Sequence, residues 1–262
     1  MADLPILYSG PMVCAMLDDR KSQTRRALNP QPPEWATFCQ QPSTLNVLHQ
    51  WVPSGLWAWS EEEQTPPRAL RRWPINADGE HYWLRPKFAK GDRLWVREKW
   101  RAHGWHGDCV EIAYAAQRGK VGWSEQHAQI PYPNGDRNAF KYYAPKGPDF
   151  WRPSIFMPRW ASRLTLTVTD VRIERLCSIS GEDAIAEGIL PDPNRPGWWM
   201  SSTAENDRCP TPRDAYLDLW NSINGDGASR LDPWITAYTF TVERRNIDAP
   251  ANVAKGQTDD QR

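Results

Sequence analysis

Apolar positions along this chain recur in short runs that alternate with polar ones, and the period changes from place to place. Residues 6–8 read as a short strand. Ser9-Gly10-Pro11 follows as a helix start, because proline suits the first helical turn. Met12, Val13, Met16 and Leu17 then fall on one stripe, which predicts a helix of two or three turns closed by Asp18-Asp19-Arg20. Residues 21–26 are polar throughout and predict an extended segment. Ser22, Thr24 and Arg26 share one of its faces and Lys21, Gln23 and Arg25 the other. Lys90-Gly91-Asp92 is a turn into a strand over 93–98, with Leu94 and Val96 on one face. Residues 110–115 and 140–143 also read as strands. Over 162–175, Leu164, Leu166 and Val168 oppose Thr165, Thr167 and Thr169, the alternation of a half-buried strand, with a bend near Asp170.

The second half adds two helices. Ser180 is an N-cap for 181–187, Glu182 and Asp183 suit its first turn, and Gly188 is its stop. Thr211-Pro212 opens a helix over 212–223 with Tyr216, Leu219, Trp220 and Ile223 on one side. A last strand spans 235–244. Many short strands with few short helices predict an α+β fold built on a small mixed barrel.

Composition changes this picture in two places. The 262 residues include 24 Pro and 16 Trp. The prolines concentrate in stretches without periodicity, read as insertions at about 27–89, 102–158 and 190–233 of one domain over 1–246. A polar tail, 247–262, is expected to be disordered. Net charge is zero, but its distribution is not even. Residues 67–101 hold ten basic side chains against four acidic, with Trp73, Tyr82, Trp83, Phe88, Trp95 and Trp100 among them, whereas 178–235 hold ten acidic against four basic. Cations interleaved with rings suit single-stranded nucleic acid, phosphates meeting charge and bases meeting aromatic faces. Residues 85–101 are therefore expected to form one wall of a positive groove. The five cysteines are widely spaced with no CxxC, as in a reducing cytoplasm. No apolar run reaches the roughly 20 residues of a membrane span, and no secretory signal is read at the N-terminus.

Candidate chemistry centres on Lys21, Thr24, Arg26 and Glu187. A lysine buried beside a carboxylate is a candidate base toward a threonine hydroxyl. The expectation is that Lys21, Thr24 and Glu187 approach within about 3–6 Å. His103-x-x-His106 with Asp108 and Cys109 offers ligand types, but no second pair completes a metal set, so neither metal nor cofactor is expected. P-loop, dinucleotide-binding and nucleophile-elbow motifs are not found.

Tyr8-Ser9-Gly10-Pro11-Met12, Asp19 through Arg26, and Gly91-Asp92-Arg93-Leu94-Trp95-Val96-Arg97-Glu98 together resemble the ASCH superfamily, and more closely the longer ASCH-containing proteins of tailed bacteriophages and prophages. The stretches 152–163 and 219–224 resemble that phage group too. The resemblance spans about 5–26, 90–100, 160–189 and 234–244. It implies a PUA-like barrel with a cleft beside the first helix. It also implies binding of RNA, single-stranded nucleic acid or a modified nucleoside in a bacterial host cytoplasm, with no membrane partner. One branch of the superfamily hydrolyses the amide of acetylcytidine, which implies catalytic roles for Lys21, Thr24 and Glu187. Arg26, Arg93, Trp95, Arg97 and Glu98 are the implied ligand-binding residues. Where the family often has glycine, this chain has Asp19, a residue that tolerates the left-handed region. A third reading is a phage structural or host-takeover protein whose Trp-rich surface binds protein.

Overall fold

The computed structural model describes residues 1–60, 82–116, 127–136, 138, 146–147, 150–201 and 208–249. In chain order its elements begin with β1 (Asp3–Leu7), α1 (Gly10–Leu17), β2 (Gln23–Ala27), β3 (Phe38–Gln40), β4 (Ser43–Leu45), β5 (Trp51–Pro53), β6 (Trp57–Ser60), β7 (Tyr82–Leu84) and β8 (Arg93–Arg97). They continue with β9 (Trp100–Trp105), β10 (Cys109–Tyr114), β11 (His127–Pro131), β12 (Thr165–Arg175), α2 (Gly181–Ala186), β13 (Leu190–Pro191), β14 (Trp199–Met200), α3 (Pro212–Asn224) and β15 (Trp234–Glu243). The expected strand over 140–143 lies outside the described residues.

The centre of the fold is a five-stranded sheet in the order β1-β8-β12-β15-β2. β1 runs parallel to β8, and the other neighbours are antiparallel. The alternation of 162–175 is what lets β12 pair on both sides, and its register slips between Val168 and Asp170, where the sequence predicts a bend. Both faces of β15 are buried. Tyr238 and Phe240 join Leu94, Val96, Leu166, Val168 and the α1 stripe, including Val13 and Met16, in the main core. Ile235 and Ala237 face the other way, onto Leu176, Ala184 and the α3 residues Tyr216, Leu219 and Trp220.

The molecule is thus strand-rich, mixed α+β. The expected barrel is not closed: among the described residues β1 and β2 remain the two edges of an open sheet. The edges meet through a side chain instead of a ladder, with Arg26 Nη2 donating to the Leu7 carbonyl at 2.8 Å. The three stretches expected to be insertions carry structure of their own among the described residues. The first holds a β3-β6-β7 sheet and the β4-β5 hairpin, and packs Trp59 edge-on against Trp234 at 5.7 Å between centroids. The second forms β9-β10-β11 over a core with Trp100, Ile112, Tyr114 and Met157. The third contributes β13-β14 and α3. At the start of the expected tail Ile247 is buried and Asp248 accepts from Arg159; residues 250–262 lie outside the described residues. Among the described residues no helix is long and apolar enough to cross a membrane.

Candidate functional site

Three local features bring the candidate residues together. Asp19 takes φ +57, the left-handed conformation that turns the chain from α1 into β2. Ser180 Oγ accepts from Asp183 N at 3.0 Å and so fixes the start of α2. Gly188, at φ +105, ends that helix where a side chain would press on Ala15 Cβ at 3.4 Å. The C-terminal end of α2 is thereby seated on the α1–β2 turn.

Lys21 and Glu187 meet at that seat. Lys21 Nζ donates to Glu187 Oε2 at 2.6 Å and to the Glu187 carbonyl at 2.8 Å. The lysine side chain is fully buried and that of Glu187 is 4% exposed. Burial pulls the Lys21 ammonium below its ordinary range, against the opposing charge of Glu187. Arg25 completes a buried network. Its Nη1 reaches Glu187 Oε1 at 3.3 Å, and its Nη2 reaches Asp183 Oδ2 at 2.8 Å and Glu174 Oε1 at 3.0 Å. Gln23 Oε1 also accepts from Arg25, and Arg25 Nε finds no acceptor among the described residues. At Asp183, burial favours the neutral acid, but donation from Gln23 and Arg172 and the charge of Arg25 hold the carboxyl below its usual range.

Thr24, Arg25, Arg26 and Glu187 open onto a small cleft of about 90 Å³, closed on its far side by Tyr216, Trp220 and Ile223 of α3. Thr24 is buried; Arg26 is exposed and lies over the Tyr8 ring at 5.4 Å. Lys21 and Glu187 make the expected contact, and Thr24 shares the cleft wall with Glu187. Among the described residues no hydrogen bond joins Thr24 to Lys21; Lys21 precedes β2, and Thr24 lies within it.

The other four candidates sit apart from this cleft, each in a structural contact. Arg93 pairs with Asp3 through Nε at 2.9 Å and Nη2 at 2.8 Å. Trp95 is buried under Arg97, whose guanidinium lies 4.4 Å from the ring centroid and donates to the Ile155 carbonyl at 3.2 Å. Glu98, 1% exposed, takes both donors of Arg163 at 2.9 Å, and burial pushes its carboxyl up against that pairing. The expected positive wall over 85–101 therefore divides. In its second half Arg93, Trp95, Arg97 and Glu98 are locked into the fold and Lys99 is exposed, while Arg85, Lys87 and Lys90 are exposed elsewhere. Among the described residues no group of three His, Cys, Asp or Glu side chains is arranged to hold a metal ion.

Reading the sequence missed Arg25, Asp183 and the α3 wall. Arg25 stands inside the basic run that drew attention to Lys21. Its signal, an arginine on the same strand face as Lys21, is weak without knowledge of what that face covers. Ile223, expected on the buried side of α3, is 57% exposed at the cleft mouth. Scans of protein-family models, of curated proteins and of solved structures find no match to this chain.

Proposed function

We propose that the five-stranded sheet with α1 and α2 is an ASCH-type, PUA-like core, and that its cleft binds RNA or a modified nucleobase, in a protein of phage or prophage kind. The observation that carries the reading is the buried Lys21–Glu187–Arg25 network behind the Thr24 and Arg26 wall. Enclosing three charged side chains costs several kcal/mol per ion in desolvation, and hydrophobic replacements of similar volume do as well or better for stability. A network of this kind at a cleft is a functional-site signature. At about 90 Å³ the cleft is well below the roughly 300–1,000 Å³ that enclose whole ligands, so it suits the edge of one base.

Amide hydrolysis of an acylated pyrimidine nucleoside is the second reading. It is favoured by one observation, the burial that draws Lys21 toward its neutral form. Against it stands the absence of any Lys21–Thr24 hydrogen bond among the described residues, Lys21 Nζ being held instead by the Glu187 carboxylate and carbonyl. The test is titration of cytidine, acetylcytidine and a short single-stranded RNA against the protein and its Thr24→Val and Arg26→Ala variants. The binder predicts a roughly tenfold or larger affinity loss in Arg26→Ala and no acetate release. Acetate release that Thr24→Val abolishes selects the hydrolase. Equal affinities across all three proteins, with no turnover, reject both.

A further inference from the structure

A larger cavity lies on another part of the molecule. It measures about 620 Å³, within the range of sites that enclose a ligand, and opens between the β5–β6 turn and the segment leading into β8. One wall is the 85–90 segment, from which Arg85, Lys87 and Lys90 project into solvent. Among the described residues none of the three is held in an ion pair; Lys87 only lies over the Phe88 ring at 5.3 Å. Their backbone is fixed. Phe88 is buried edge-on against Tyr238 at 5.1 Å, and Asp92 caps the turn, one oxygen accepting from Ala2 N at 2.7 Å and the other from Ala89 N at 2.9 Å. The Asp92 charge is thus committed to the turn, and Asp170 is the remaining carboxylate on the rim. The facing wall presents the part-exposed indole of Trp57, with Gln41 and Ser54 beside it.

We propose that this second cleft binds the phosphate and base of a nucleotide, either free or within a single strand. The three cations sit on a turn whose backbone needs no reordering, so the ordering cost on meeting a phosphate is confined to their side chains. Trp57 offers part-exposed indole surface for stacking, and Gln41 offers polar atoms to a base edge. The size divides the labour: the first cleft accommodates an edge, the second a whole nucleotide. The proposal goes beyond the first cleft and stands without it.

The experiment compares the full chain with its R85A/K87A/K90A variant; these side chains are exposed and, among the described residues, in no ion pair, so its melting temperature should be unchanged. The probes are a labelled short single-stranded RNA by anisotropy, a nucleoside 5′-monophosphate with its parent nucleoside by calorimetry, and an acidic peptide of equal charge. The expected result is an RNA affinity at least about tenfold weaker at 0.1 M salt. The slope of log K against log salt should flatten by about 2, three contacts at roughly 0.7 each. The monophosphate should lose binding in this variant and keep it in Arg26→Ala; if it binds while RNA does not, the site serves free nucleotides. Unchanged affinity and slope in the triple variant, or an acidic peptide bound as tightly as RNA, overturns the proposal. Loss of nucleoside binding in Arg26→Ala alone speaks to the first cleft and leaves this one standing.

Discussion

Removing Glu187 tests the buried network most directly, because its two partners are unequally dependent on it. Arg25 has two further carboxylates, Asp183 at 2.8 Å and Glu174 at 3.0 Å. Among the described residues Lys21 has only Glu187, through the carboxylate at 2.6 Å and the main-chain carbonyl at 2.8 Å. Glu187→Ala therefore leaves a fully buried ammonium with one carbonyl acceptor. Breaking a buried pair in this way costs about 3–5 kcal/mol, a large share of the roughly 5–15 kcal/mol that holds a domain folded. Lys21→Met removes the dependent charge instead and leaves Glu187 facing Arg25 at 3.3 Å, so it should cost clearly less. Lys21→Met combined with Glu187→Gln should recover most of what Glu187→Ala loses, since no unpaired charge remains. Urea unfolding followed by tryptophan fluorescence gives all the values. If Lys21→Met proves as costly as Glu187→Ala, or Glu187→Ala costs under about 1 kcal/mol, the argument that Lys21 depends on this carboxylate is wrong.

Asp3 is held below the usual carboxylate range by donation from Arg93 and Arg159. A depressed native pKa contributes stability above the unfolded value and loses it as pH falls, so the melting temperature should drop below about pH 4, and Asp3→Asn should flatten that limb. An acid limb identical in Asp3→Asn would exclude Asp3 from the transition. Thr211 Oγ1 accepts from Asp214 N at 3.1 Å at the start of α3; Thr211→Ala should cost about 1 kcal/mol in chemical denaturation, and a loss under about 0.3 kcal/mol would show that the cap contributes little. Ile223→Asp places a negative charge at the mouth of the first cleft on an exposed side chain, so stability should stay within about 0.5 kcal/mol while RNA affinity falls. Affinity unchanged by that variant would move the RNA path away from α3.

The sequence by itself determined the elements whose causes are local. The alternation in β12, the Ser180 and Thr211 caps and the stop at Gly188 each depend on residues a few positions apart, and each is found where the pattern predicts it. The motif also pointed to Lys21 and Glu187 as partners across 166 positions, through the family resemblance and not through any spacing rule. What only the tertiary structure decided is how charges are apportioned. Ten basic residues in one stretch read alike in sequence, yet Arg93 is tied to Asp3, Arg97 lies on Trp95, and Arg85, Lys87 and Lys90 remain exposed. The same holds for the open sheet, whose β1 and β2 edges meet through Arg26, and for α3, an inserted helix that became a cleft wall. Propensity acts between chain neighbours, whereas pairing and burial depend on which distant surfaces the packed core brings within a few ångströms.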